Sequence, residues 1–173
     1  MYTGKTTTKS ATHTIYSHMD MIGMYKITVA GAKSVGKSSI INEYMKRAEN
    51  KSITICESGS RFDLADSDAV LFVFDLSKKN TLFALDQIYR DFNSFRKSNS
   101  LGFLVGNKKD KTREVLVNTA TQFALNKQMS YSEISTCNAN DIPNLFDRII
   151  KHFAIHPQWE KKSFEATDRC LHQ

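Results

Sequence analysis

A nine-residue segment near the start of the chain combines two glycines, two lysines and several hydroxyl side chains at a fixed spacing. Its residues are Gly31, Ala32, Lys33, Ser34, Val35, Gly36, Lys37, Ser38 and Ser39. The pattern G-x-x-x-x-G-K-[ST] lets the backbone curl so that successive N–H groups point at an anion. Lys37 supplies a full charge to the β- and γ-phosphates of a nucleotide, and the Ser38 hydroxyl is placed to bind Mg²⁺. We therefore predict a phosphate-binding loop here.

A second motif, N-K-x-D, begins at Asn107 and ends at Asp110. It follows a predicted strand, and open α/β sheets bind ligands at the carboxyl ends of their strands. A carboxylate can accept two hydrogen bonds from the ring N–H and exocyclic amine of guanine, whereas adenine offers no such pair. Alone, the motif is also typical of a solvated basic loop, because it contains Lys108 and Lys109. Combined with the phosphate-binding loop, it predicts selectivity for guanine.

Hydrophobic patterning predicts the elements that position these motifs. Five β-rich runs are the expected strands, at residues 25–30, 53–56, 69–74, 101–105 and 131–134. Helical periodicity covers residues 81–92 and 142–153, and a helix to about residue 48 follows the phosphate-binding loop. Strands without polar alternation are typical of a parallel sheet covered on both faces. The sequence therefore predicts an α/β, three-layer P-loop NTPase fold, with a mostly parallel sheet of about five strands and helices on both faces.

Length and composition assign these elements to one domain. The chain has 173 residues, 40% of them hydrophobic, and we expect a folded domain at residues 25–154 between flexible tails at residues 1–24 and 155–173. The N-terminus lacks the apolar segment of a secretory signal, so a cytoplasmic location with reduced cysteines is expected. Of the net charge of +6, residues 76–115 carry +5, from nine basic and four acidic residues. Without a recognition motif, this surplus is weak support for nucleic-acid binding, and we expect no nucleic-acid partner.

On these motifs the chain resembles the Ras superfamily of small GTPases, nearest to its Rab and septum-promoting branches. The resemblance covers about residues 25–153 and includes the segments AVLFVFDLSKKNTL, FLVGNKKD and SEISTCNANDIPNLFDRII. It implies GTP or GDP as ligand, held by the backbone of residues 31–37 and by Lys37, with Mg²⁺ on Ser38.

The resemblance also implies roles for the residues around the base. Asn107 would brace the two loops, Lys108 would lie along the base and Asp110 would read guanine. Ser135, Thr136 and Cys137 stand where the family has S-A-K. Thr136 keeps the backbone N–H, so guanine selectivity is expected to persist, while loss of the lysine weakens affinity.

The chain departs from the family in the segments that respond to the γ-phosphate. Only eighteen residues separate Lys37 from Cys56, about half the span in the family, so switch I and its antiparallel strand are expected to be absent. Aligned on Gly59, Cys56 takes the position of the Mg²⁺-directed Asp, with Glu57 one place later. Ser60 replaces the Gln that orients water and is too short to do so well. We expect slow hydrolysis, with Lys37, Gly59 and Ser60 as the catalytic residues.

The final four residues, Cys170 to Gln173, fit the C-a-a-X prenylation motif loosely, because His172 is not aliphatic. The residues before them carry no basic surplus, so the second signal for stable anchoring is missing. An unmodified tail is the simpler interpretation, and peripheral membrane contact is expected only if Cys170 is prenylated.

The sequence leaves several function classes open. The leading one is a guanine-nucleotide switch for signalling or vesicle traffic, with weak catalysis and an unidentified effector or regulatory protein as partner. The altered Cys56 and Ser60 favour an inactive pseudo-GTPase scaffold, whereas the intact Lys37, Ser38 and Asp110 oppose it. A P-loop ATPase or kinase is disfavoured by N-K-x-D. An exon lost from the gene prediction would also explain the short connection after Lys37.

Overall fold

A computed structural model of the protein describes residues 25–47 and 53–155, in which strands and helices alternate. The first five elements are β1 (Tyr25–Gly31), α1 (Lys37–Arg47), β2 (Ile53–Glu57), α2 (Arg61–Ala65) and β3 (Ala69–Asp75). The next six are α3 (Lys79–Phe83), α4 (Leu85–Phe95), β4 (Leu101–Asn107), α5 (Val117–Asn126), β5 (Ser130–Glu133) and α6 (Asp141–Ile155).

The strands form one sheet in the order β2-β1-β3-β4-β5, and every neighbouring pair is parallel. The predicted α/β class and the expected five strands are confirmed. The register places Gly31 of β1 opposite Val73, and Asp75 of β3 opposite Asn107 of β4. Because the strands all run the same way, the residues that follow their carboxyl ends meet at one edge of the sheet.

A hydrophobic core lies on the face of the sheet that carries Phe72. All seven residues of β3 are buried, as is typical of a central parallel strand. The Phe72 ring has its centroid 5.4 Å from that of Phe92 and 5.9 Å from that of Tyr89, both in α4. Buried side chains from the other helices on this face complete the cluster: Leu64 of α2, Leu82 of α3, and Ala120 and Ala124 of α5.

The opposite face of the sheet is covered by α1 and α6. Tyr25 of β1 stacks on Phe153 of α6 with 4.3 Å between ring centroids, and Phe103 of β4 meets the ring of His152 edge-on. Tyr44 of α1 and Phe146 of α6 stack at 4.0 Å, which joins the two helices. Helices therefore cover both faces, as predicted.

The observed helices differ from the predicted ones in two places. The helix predicted at residues 81–92 is two consecutive helices, α3 and α4, which are separated at Ala84. The Thr81 hydroxyl in α3 accepts a hydrogen bond from the Asp75 N–H, which ties α3 to the end of β3. Hydrophobic periodicity does not predict α5, since its buried face consists of the small residues Ala120 and Ala124. The strand predicted at residues 131–134 lies one residue earlier, as β5.

Several predictions lie outside the described residues. They are the two flexible tails, prenylation of Cys170 and the end of the first helix at residue 48. Within residues 25–47 and 53–155, no helix has both the length and the apolar character needed to cross a membrane.

We expect Phe72→Ala to lower the free energy of unfolding by about 3–5 kcal/mol, because it removes a fully buried ring and leaves a cavity. Urea denaturation followed by circular dichroism measures this change. Leu125→Ala is the control, since Leu125 is 62% exposed and its loss should cost less than about 1 kcal/mol. Equal losses for the two variants would contradict the assignment of the core.

Candidate functional site

The loop between β1 and α1 has a backbone that requires its two glycines. Gly31 has a φ of +153° and Gly36 a φ of +102°, values that L side chains rarely adopt. A Cβ at Gly31 would overlap the carbonyl oxygen of Val73, and a Cβ at Gly36 would overlap the amide nitrogen of Asn107. The glycines thus bring the loop into direct contact with both β3 and β4.

Lys37 and Ser38 begin α1, and both contact the carboxylate of Glu57 at the end of β2. The Lys37 ammonium donates hydrogen bonds to the carbonyl oxygens of Gly31, at 3.0 Å, and Ala32, at 2.8 Å. It also lies 3.4 Å from Oε1 of Glu57. The Ser38 hydroxyl donates to Oε2 of the same carboxylate at 2.8 Å. One carboxylate therefore links the lysine and the serine of the motif.

The remaining residues of the predicted loop differ in exposure. Val35 is buried, whereas Lys33, Ser34, Ser38 and Ser39 are exposed at its surface. The buried Val35 side chain anchors the loop, while these four polar residues remain accessible to solvent.

The N-K-x-D motif contacts this loop directly. Asn107 is buried at the end of β4, and its side-chain N–H donates to the carbonyl oxygen of Val35 at 2.9 Å. The Lys108 ammonium donates to the carbonyl oxygen of Ser34 at 2.8 Å. Two motifs more than seventy residues apart in sequence are thereby joined.

The Lys108 ammonium also pairs with a buried carboxylate. Its Nζ lies 2.7 Å from Oδ2 of Asp75, the last residue of β3, whose side chain is 2% exposed. Burial acts to raise the pKa of Asp75, but hydrogen bonds from Lys108 and Ser77 outweigh it and hold that pKa below its usual value. Asp75 is therefore ionised in the folded protein and fixes the Lys108 side chain.

Asp110 meets the loop after β5 through Ser135. The Ser135 hydroxyl donates a hydrogen bond to Oδ1 of Asp110 and accepts one from the Cys137 N–H at 3.1 Å. The bond from Ser135 lowers the pKa of Asp110, so the carboxylate is a ready acceptor at neutral pH. Thr136 and Cys137 line a cleft of about 160 Å³ between this loop and α1. Asp110, Ser135 and Cys137 are therefore linked by hydrogen bonds, while the cleft beside Thr136 and Cys137 is lined on its other side by Glu43 and Arg47 of α1.

Gly59 and Ser60 follow β2, and their N–H groups donate to a single acceptor. Oδ2 of Asp63 lies 2.9 Å from the Gly59 nitrogen and 2.8 Å from the Ser60 nitrogen. The bond from Gly59 is the main cause that lowers the pKa of Asp63. The Ser60 hydroxyl donates to the same oxygen, at 3.2 Å. Ser60 is thus the N-cap of α2 and is held by its own helix.

Sequence reasoning assigned no role to Glu57 or Asp75. Both are charged residues at the carboxyl end of a strand, the position at which the topology gathers functional groups. The sequence feature that could have identified Asp75 is a carboxylate at the end of an apolar run. For Glu57 it is the alternation of side chains along a strand, which places Glu57 and Cys56 on opposite faces of the sheet.

We expect Lys108→Met to lower the free energy of unfolding of the nucleotide-free protein by about 2–4 kcal/mol, because it leaves the buried Asp75 carboxylate without its counter-ion. The pKa of Asp75 is lowered by folding, so the pair stabilises the protein above the unfolded pKa of about 3.9 and stops doing so as the pH falls through the folded pKa. Urea denaturation at pH 7 and in acid should show the difference between variant and wild type shrinking below about pH 4.

The matched control is the double variant Asp75→Asn with Lys108→Met, in which both charges of this pair are removed. It should be more stable than Lys108→Met alone. A double variant as unstable as the single one would mean that the pair is not responsible.

Comparisons with known proteins identify the family of the chain. The chain matches the Ras family over residues 57–155, which is more than half of its length and begins after the phosphate-binding loop. It is 24% identical to the Ras-related protein RABA1c of Arabidopsis thaliana over 83% of this chain and 80% of that protein. It is 23% identical to the Ras-related protein Rab-11C of Dictyostelium discoideum, over 73% of this chain and 71% of that protein.

A further relative is the GTP-binding protein drn-1 of Caenorhabditis elegans, with 25% identity over 73% of this chain and 74% of that protein. These matches confirm the predicted Ras-superfamily, Rab-like resemblance. The chain belongs to the Ras family of small GTPases.

Proposed function

We propose that the protein binds GTP and GDP, together with Mg²⁺, in the site between the phosphate-binding loop and the N-K-x-D motif. The observation that carries this proposal is the pair of hydrogen bonds from Asn107 to Val35 and from Lys108 to Ser34. They hold a phosphate-binding element beside a guanine-reading element, and a guanine nucleotide is the ligand that needs both. Membership of the Ras family supports the same ligand.

The chemistry of the residues fits such a ligand. Lys37 folds over the loop carbonyls and presents its charge to a phosphate held there. The side-chain oxygen of Asn107 is buried and has no hydrogen-bond partner among the described residues. An unsatisfied buried acceptor costs about 1–3 kcal/mol, so a donor supplied by the ligand or its water would stabilise this side chain.

Asp110 is the proposed selector of the base. Its carboxylate is ionised at neutral pH, and the hydrogen bond from the Ser135 hydroxyl lowers its pKa further. An ionised carboxylate accepts the paired donors of guanine and is left unpaired against adenine. Mg²⁺ would neutralise phosphate charge from the side of the Ser38 hydroxyl, which is exposed and faces Glu57.

We further propose that hydrolysis is slow. The Ser60 side chain caps α2, and the Gly59 N–H that would respond to a γ-phosphate already donates to Asp63. The hydrogen bond between Gly59 and Asp63 must break before the Gly59 N–H can respond to a γ-phosphate. Residue 60 also has no amide side chain that could orient the attacking water. A nucleotide-retaining pseudo-GTPase scaffold is the second candidate, and the same capping contacts favour it.

Other parts of the proposal rest on the sequence. The short connection between α1 and β2 leaves little room for switch I, and it includes residues 48–52, outside those described. We propose that the chain lacks this segment and engages its effector or regulatory protein through another surface. We place it in the cytoplasm, with membrane contact only if Cys170 is prenylated.

We expect Lys37→Ala to weaken binding of fluorescent GDP at least about 100-fold, because a charge-assisted contact to phosphate is lost. Titration followed by fluorescence anisotropy measures the affinity. Lys46→Ala is the control, since it removes the same charge from an exposed position on the same helix.

Asp110→Ala should reduce the preference for GDP over ADP at least about tenfold. Wild-type protein that binds neither nucleotide, or both equally, would refute the proposed site.

We expect single-turnover hydrolysis of bound GTP to proceed more slowly than about 10⁻⁴ s⁻¹, below the intrinsic rate of a family member that has its Gln. Ser60→Gln should accelerate it, with little change in GDP affinity, because the longer amide can orient water. Phosphate release measures both rates. A wild-type rate typical of the family would overturn the claim of weak catalysis, and GTP retained without hydrolysis in both proteins would favour the scaffold.

A further inference from the structure

Glu57 ends β2 at the edge of the sheet that carries the phosphate-binding loop. Its Cα lies opposite Val29 in β1, two residues before Gly31. Because side chains alternate along a strand, Glu57 and Cys56 point to opposite faces. The Cys56 sulfur lies 3.5 Å from the Thr28 hydroxyl oxygen, whereas the Glu57 carboxylate reaches the start of α1. The position that the family reserves for its metal-directed Asp is therefore turned away from the loop.

The distance between Glu57 and Ser38 suits two ligands of one magnesium ion. Oε2 of Glu57 and Oγ of Ser38 are 2.8 Å apart. Neighbouring ligands of an octahedral Mg²⁺, each about 2.0–2.1 Å from the metal, are about 2.9 Å apart. The distance between the two oxygens therefore matches that between neighbouring ligands in such an octahedron. Both are hard oxygen ligands of the type that Mg²⁺ prefers.

The charges around this pair are also appropriate for a shared metal. Lys37 is 3.4 Å from the other oxygen of Glu57 and balances that carboxylate in the free protein. No cluster of three or more His, Cys, Asp or Glu side chains in residues 25–47 and 53–155 could hold a metal without help. A magnesium ion held by one carboxylate and one hydroxyl needs phosphate oxygens and water for its remaining positions, which is the usual arrangement for this ion.

We propose that Glu57, and not the residue at position 56, is the acidic ligand that joins Ser38 in holding the nucleotide's Mg²⁺. This inference rests on the proposed function and identifies a residue that the family pattern does not assign. Glu57 then has opposite effects in two conditions. With Mg²⁺ bound, its carboxylate strengthens nucleotide retention through the metal. Without Mg²⁺, the same negative charge lies near the phosphates and weakens retention by repulsion.

The test is the dissociation rate of fluorescent GDP, measured after addition of excess unlabelled GDP at a series of free Mg²⁺ concentrations and in EDTA. For Glu57→Gln we expect the Mg²⁺ concentration that half-maximally slows release to rise about 10–100-fold. In EDTA the variant should release GDP no faster than wild type. Asp147→Asn is the charge-matched control, because Asp147 is exposed on α6, and it should behave as wild type.

Glu57→Asp supplies a second variant that keeps the charge. Its carboxylate is one methylene shorter, so it should also raise the half-maximal Mg²⁺ concentration while retaining repulsion in EDTA. This variant keeps the test decisive if Glu57→Gln fails to fold.

Two results would overturn the inference alone. One is an unchanged Mg²⁺ dependence in both variants while wild type binds GDP. The other is slower release by Glu57→Gln to the same degree with and without Mg²⁺, which would make Glu57 only a competitor for Lys37. Absence of GDP binding by wild type in every condition would instead refute the proposed function, and the inference with it.

Discussion

The hydrogen bond from the Asn107 side chain to the carbonyl oxygen of Val35 is the contact on which the rest of the site depends. It is buried, and it joins the end of β4 to a loop that follows β1. A side chain at residue 36 would overlap the amide group of Asn107, so this position requires glycine. A larger residue at Gly36, or a different one at Asn107, would separate the two loops. The sheet supplies the frame, and this single amide fixes the distance between them.

Electrostatic pairing prepares the same region before any ligand arrives. Lys37 and Lys108 each contact backbone carbonyls of the phosphate-binding loop, and each has a carboxylate partner, Glu57 and Asp75 respectively. The two pairs differ in burial: Asp75 is almost fully enclosed, whereas Glu57 is 42% exposed. The buried pair therefore contributes chiefly to stability, while the exposed carboxylate is free to exchange its partners.

Much of this organisation could be read from residue types. The glycine spacing, the apolar run of β3 and the N-K-x-D motif specify the sheet, its parallel direction and the site at its edge, because each has a strict physical requirement. The position of Glu57 beside Ser38 could not be predicted by aligning the sequence on Gly59, since such an alignment ignores which face of β2 a residue occupies. The capping of α2 by Ser60 and Asp63 was missed because a five-residue helix leaves no periodic pattern. The helix α5 was missed since alanines, not large apolar residues, form its buried face.

The order of the strands has a consequence for how the protein matures during synthesis. β1 pairs with β3, so Ile27 meets Ala69 across a gap of more than forty residues, and Gly31 finds its place only against Val73. Such non-local pairing forms late, since chain closure precedes the contacts that reward it. The loop that follows β1 also contacts Asn107, at the end of β4, through the carbonyl oxygen of Val35. The contacts that fix this early segment are therefore complete only after β4 has been synthesised.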